Sequence, residues 1–182
     1  MTEIVFEPRV IEAKDWATYL FVLSFALIAV TRTAFETRFN DFLRILVSDK
    51  YIKVYKDPSH LMSGFTVLLF IVQSISFAFF IQMTLSHFGY VSKTDWVLFI
   101  RILTFFGVFV LSKFLIEKII ATVFNIEEFA EQLNLQKVSY RTFISLLILP
   151  LNIYLFYSDN SSNALLFCII GIILIINLYS YL

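Results

Sequence analysis

A single cysteine, Cys168, stands among 182 residues, and it sits in the apolar run LLFCIIG. A lone thiol excludes an intrachain disulfide and a cysteine-based metal site. It reads as a small hydrophobe facing lipid or a neighbouring helix. Charge is also scarce. Asp, Glu, Lys and Arg supply 15% of the residues, where soluble domains carry about 25%, and 14 cations balance 14 anions. That balance gives no electrostatic footprint for nucleic acid or for a strongly acidic substrate. Catalytic motifs are missing as well: no Ser/His/Asp set, metalloprotease zinc signature, phosphate-binding loop or dinucleotide fingerprint occurs. His60 and His87 fall at opposite ends of one apolar stretch, about 40 Å apart along a helix, so they cannot share a metal ion within one chain. No catalytic residue, cofactor or metal is expected.

What is abundant is apolar surface. Hydrophobic residues make up 59% of the chain and the mean hydropathy is +0.83, which excludes a soluble single-core domain. The chain reads as an all-α polytopic bundle forming a single transmembrane domain over 1–182, with about five spans and amphipathic cytoplasmic helices. Strands are excluded because the runs do not alternate polar and apolar, and an open sheet cannot satisfy its backbone in lipid.

A helix needs roughly 20 apolar residues to cross the hydrocarbon. Gaps between charged residues place spans at about 16–31, 61–88, 96–116, 142–158 and 163–182, leaving connections at 32–60 and 117–141. The first is short, and Trp16 at the interface with Lys14 and Arg32 snorkelling outward makes up the deficit. It is not read as a cleaved signal peptide, because Glu3, Glu7, Glu12 and Asp15 give its flank the wrong polarity.

Cations divide unevenly between the two ends of these spans. Arg9, Lys14, Lys93 and Arg101 fall on one side, four in all. Ten fall on the other: Arg32, Arg38, Arg44, Lys50, Lys53, Lys56, Lys113, Lys118, Lys137 and Arg141. The positive-inside rule then puts the amino terminus outside and both long connections in the cytoplasm. Asn160-Ser161-Ser162 matches a glycosylation sequon on the outer side, in a loop too short and too close to the membrane to weigh.

Local signals fill in the connections. Lys14-Asp15-Trp16 and Lys93-Thr94-Asp95-Trp96 read as the same opening, with Asp as N-cap and Trp in the aromatic belt. Asp57-Pro58 reads as N-cap and first-turn proline of the second span. In the first connection Phe35, Phe39, Phe42 and Leu46 recur at helical spacing, with Arg38 among the charges projecting away. Such a helix fits two placements: on the membrane surface with its apolar face down, or packed under the bundle. In the second connection Asn125 and Glu128 have capping-box spacing, and Glu127, Glu128 and Glu131 form an acidic face. Basic and acidic connections on one side of the membrane either dock, on each other or on a shared partner, or remain separately solvated. Phe35, Arg38, Phe39, Phe42, Glu127, Glu128 and Glu131 are thus the candidate cytoplasmic interface.

Ionisable residues inside a span are costly, so each is a functional candidate. Lys113 and Glu117 lie one turn apart on one face and can pair, Lys118 marks the membrane exit, and Arg101 lies more than a turn inside the outer end. Each also has a bland reading as an anchor that sets helix depth. Gln73, Gln82, Asn152 and Asn177 read as interhelical hydrogen-bond glue. Pro150 reads as a kink that frees a carbonyl.

The run KFLIEKIIATVFNIEEFAEQ, the later ISLLILPLNI and the early TRTAFETRFNDFLRILVSDKYI resemble a family of uncharacterised integral membrane proteins of Bacteroidota, a domain of unknown function. The likeness covers roughly residues 10–182. It implies a bacterial inner-membrane protein, with Lys113, Glu117, Phe124 and Pro150 as family-like positions. Family members continue into a further hydrophobic helix, so the resemblance implies a chain lacking the family's last C-terminal helix.

Two classes of function fit these readings. The favoured one is a non-catalytic subunit or scaffold of a multi-protein membrane assembly, whose partners are the bilayer and other membrane subunits or copies of itself. The alternative is a small transporter or channel acting as an oligomer, with Arg101, Lys113 and Glu117 lining a path. A lipid-modifying enzyme comes third, since no catalytic constellation is legible.

Overall fold

The computed structural model describes residues 14–45, 50–55, 63–158 and 163–179. These form helices α1 (Asp15–Ala34), α2 (Glu36–Leu43), α3 (Lys50–Val54), α4 (Gly64–His87), α5 (Trp96–Val123), α6 (Glu127–Tyr157) and α7 (Asn163–Tyr179). No strand occurs among the described residues. Four helices, α1, α4, α5 and α6, are long and apolar enough to cross a bilayer, and α7 contributes a shorter apolar stretch, Leu166–Leu178. The chain is a multi-pass membrane protein.

The long helices run antiparallel, so side chains distant in sequence meet at two ends. At the first end Trp16 Nε1 donates to the Thr94 carbonyl at 3.3 Å, Lys93 Nζ donates to the Ser158 carbonyl at 3.1 Å, and Thr18 bonds the Tyr157 hydroxyl. Trp16 is therefore built into the bundle as well as lying at a helix start. Its ring stacks on Phe79 and tilts against Phe99, with centroids 5.7 and 5.0 Å apart, while Trp96 stays exposed. Phe79, Phe99 and Phe156 are fully buried there, and aromatic pairs of this geometry add about 0.5–1.5 kcal/mol each beyond their burial. At the second end Phe42, Tyr51, Phe65, Leu135 and Phe143 form a separate core beneath α4 and α6.

α4 is the central helix, packed by α1, α5 and α6. Its seam with α6 is polar. Thr142 Oγ1 donates to Gln73 Oε1 at 2.9 Å, Ser76 Oγ to the Ser145 carbonyl at 2.8 Å, and Asn152 Nδ2 to the Ser76 carbonyl at 2.7 Å. Lipid tails are as apolar as leucine, so association between such helices relies on close packing and on bonds of this kind. Gln73 and Asn152 are the expected interhelical glue. Gln82 acts differently: its Nε2 donates to the Asp95 carbonyl at 2.8 Å and fastens the loop between α4 and α5. Hydroxyls elsewhere in the spans, such as Ser24, Ser74 and Thr84, bond the carbonyl four residues back and so need no partner helix.

Several sequence expectations are corrected here. Asp15 is the first residue of α1 and gives no side-chain cap, the N-cap being Lys14. Asp95 does cap α5, accepting from Val97 N and Leu98 N at 3.0 and 3.1 Å. Asn125 caps nothing at the start of α6. It has a positive φ of 55°, and the bonds Ile126 N to Ala121 O and Asn125 N to Thr122 O make it the left-handed closing residue of α5. Gly89 closes α4 the same way at φ 78°, with bonds from Tyr90 N to Leu85 O and Gly89 N to Ser86 O. The connection 117–141 and the span 142–158 are not separate either. α6 is one helix from Glu127 through Pro150 to Tyr157, because neither glycine nor proline interrupts residues 127–149. Beside Pro150, Asn152 bonds α4 across the seam. Asp57-Pro58, His60, the start of the predicted second span at 61–62, the sequon at 160–162 and residues 180–182 lie outside the described residues; α4 begins at Gly64 after an extended Ser63.

Candidate functional site

The first connection folds inward. Phe39 and Phe42 are buried, and Phe35 is half-buried with its ring 5.9 Å from that of Phe65. Of the two placements open to this helix, it takes the one beneath the bundle. Arg38, only 7% exposed, goes in with it. Its Nη1 donates to Ser63 Oγ at 2.6 Å, and Nη2 and Nε reach Thr66 Oγ1 and the Tyr51 hydroxyl at 3.4 Å. The guanidinium carbon lies 4.5 Å from the Phe65 ring centre and 5.0 Å from that of Tyr55. A planar cation between aromatic faces is held by the ring quadrupoles as well as by its hydrogen bonds. Arg38 therefore ties α2 and α3 to the start of α4. Burial pushes the Tyr51 phenol above its ordinary range, with the neighbouring Arg38 charge opposing that rise.

The acidic connection meets the basic one through apolar contacts. Leu135 and Phe143 of α6 pack on Phe42 and Tyr51, and the Tyr140 hydroxyl donates to the Ile45 carbonyl at 3.3 Å. Glu127 and Glu128 stay exposed and Glu131 is half-buried.

The polar residues of the spans converge elsewhere. Val110, Lys113, Phe114 and Glu117 follow helical spacing along one face of α5. On α6, Asn134, Lys137, Val138, Arg141 and Ile144 do the same. With Tyr140 and, from α7, Asn177, they line a cleft of about 100 Å³ near the turn joining α5 to α6. Glu117 sits between two lysines, its Oε1 at 4.0 Å from Lys113 Nζ and 3.7 Å from Lys137 Nζ. Those separations exceed hydrogen-bond length, so the carboxylate is loosely held. Asn134 is 7% exposed, whereas Lys137 and Arg141 are half-buried. Val110 and Ile144 close the end of the cleft toward mid-bundle, and Glu117, Asn134 and Asn177 stand toward the turn.

Of the predicted intramembrane residues, the structure brings Lys113 and Glu117 together. Lys118 is exposed and outside the cleft lining, and Arg101 is exposed near the other end of α5, about 24 Å from Glu117 at 1.5 Å per residue. Sequence reasoning missed Lys137 as a partner of Glu117, and Asn134 and Arg141 as residues of the same cleft. Their spacing of three, four and seven residues marks one helix face, but it shows only when 127–157 is read as one helix. Among the described residues no group of His, Cys, Asp or Glu is placed to hold a metal ion.

No curated protein and no solved structure matches the chain. The model of one family, described as a domain of unknown function (DUF4271), does match residues 17–182, and the chain belongs to that family.

Proposed function

We propose that this protein is a non-catalytic subunit of a membrane assembly in a bacterial inner membrane, with the turn joining α5 to α6 in the cytoplasm and α7 as a fifth crossing. The orientation rests on the division of cations, ten at the turn end and four at the other. One observation carries the subunit reading. α5 has 28 residues, about 42 Å of helix, against a hydrocarbon core of about 30 Å. With Trp96 at one surface, the helix clears the other near Ile116. The part beyond ends in Val123 and Phe124, 70% and 68% exposed, followed by Phe129 at 64% beside the exposed Glu127 and Glu128. Large apolar side chains clustered outside the hydrocarbon mark a surface that a protein partner covers.

A photo-crosslinking residue at Phe124 or Phe129, in native membrane, tests this. The expected product is one defined protein adduct that co-purifies in mild detergent; with the crosslinker at Phe124 it is lost in Phe129→Asp, with the crosslinker at Phe129 it is lost in Phe124→Asp, and in both cases it is kept in Lys118→Gln. Adducts to lipid alone, with the chain recovered as a monomer, would contradict it. The second reading, a small oligomeric transporter or channel, draws on the polar cleft at Glu117. In that case Glu117→Gln and Lys137→Gln stop flux in reconstituted vesicles while the assembly stays intact.

A further inference from the structure

We infer that Arg101 holds the phosphate of a lipid headgroup against the exposed face of α5. The surroundings of this side chain are the first reason. α5 is the least buried of the four long helices, and the residues one turn from Arg101 on the same exposed face, Val97, Thr104 and Phe105, are themselves exposed. None of them carries a charge. Asp95, the nearest carboxylate along the chain, has its Oδ1 turned to the backbone N–H groups of Val97 and Leu98, where it caps the helix. Among the described residues Arg101 forms no ion pair and no side-chain hydrogen bond. Its cation is left to whatever covers this face.

Depth decides what that is. Arg101 lies five residues in from Trp96, about 7.5 Å along the axis at 1.5 Å per residue. With the indole at the membrane surface, the guanidinium stands just inside the hydrocarbon, within reach of the headgroups when the side chain extends toward water. Phosphates already occupy that depth. A carboxylate from a partner helix would have to be brought into hydrocarbon at its own desolvation cost, so the lipid is the occupant that the position favours. The planar fork of an arginine offers paired N–H donors to phosphate oxygens, and the exposed Phe105 and Val108 continue the face inward as an apolar wall for acyl chains. Both leaflets carry headgroup phosphates, so the inference is independent of the proposed orientation. It is also independent of the subunit reading, whose surface lies at the far end of α5.

The test places the full chain, isotope-labelled at arginine Cζ, in bilayers of phosphatidylglycerol mixed with digalactosyl diacylglycerol, which lacks phosphate. Solid-state NMR then reads carbon–phosphorus dipolar contact. The phosphorus-dephased arginine signal is expected to lose one residue's share in Arg101→Gln and also in Arg101→Lys, which keeps the cation and so keeps the test decisive should the glutamine variant fail to fold. A photo-crosslinking residue at Phe105, on the same face, gives a second readout. Its ratio of phosphatidylglycerol to galactolipid adducts should fall roughly five-fold in Arg101→Gln, the scale of one cation at an anionic surface, and hold in Arg101→Lys. A dephased signal unchanged in both variants would overturn the inference, as would an adduct ratio indifferent to Arg101→Gln. One defined protein adduct at Phe105 in native membrane would overturn it in favour of a partner's carboxylate.

Discussion

Arg38 ties three separate helices together at the turn end, α2, α3 and the start of α4. It is a buried cation whose hydrogen bonds include those to Ser63, Thr66 and Tyr51, while Phe65, Tyr55 and Tyr51 lie against its guanidinium. Lysine keeps the charge and loses both the fork and the stacking. Arg38→Lys is therefore expected to lower stability by about 1–2 kcal/mol and Arg38→Gln by about 2–3 kcal/mol, read as the shift in a detergent unfolding midpoint. Tyr51 makes a second, pH-dependent prediction. Its phenol is raised above the ordinary value of about 10 by burial. In the window above that value the unfolded chain loses the proton first, so the contribution of Tyr51 is intact below pH 10 and falls as pH rises toward the higher native pKa. Tyr51→Phe should show a shallower loss of stability above pH 10 than the wild type, and equal slopes would refute the assignment.

At the scale of elements, the polar seam between α4 and α6 accounts for how these helices find their register. A double-mutant cycle of Gln73→Leu and Thr142→Val is expected to give a coupling of about 0.6–1.7 kcal/mol; a coupling near zero would mean that packing alone sets the register. Gln73 and Asn152 were legible as glue because an amide in lipid needs a partner. The fold class and the rough spans were legible for a similar reason, since apolar run length is set by bilayer thickness. Helix ends were less so. Charge gaps mark where the membrane ends, whereas a helix stops where its backbone turns, at Gly89 and at Asn125. Placing the boundary at Arg141 split α6 and hid the face that carries Asn134, Lys137 and Arg141. The buried Arg38 was invisible because its cage is assembled from α2, α3 and the start of α4, and no periodicity within one helix encodes such a meeting.

At the scale of the molecule, three features belong to one geometry. Long helices cross the bilayer around α4, an aromatic core closes one end, and the basic and acidic connections, the cleft and the projecting turn share the other. The subunit proposal draws on that crowding at one end and the lipid site on a lone cation at the other, and each is tested by its own experiment. The arrangement across the membrane is tested most directly by cysteine accessibility in a Cys168→Ser background, with Ser92→Cys and Asn125→Cys reporting on the two ends. A membrane-impermeant maleimide added to intact cells stripped of their outer membrane is predicted to label Ser92→Cys, and to label Asn125→Cys only after the inner membrane is opened. Labelling of both positions from the same side, or of Asn125→Cys alone from outside, would contradict the account.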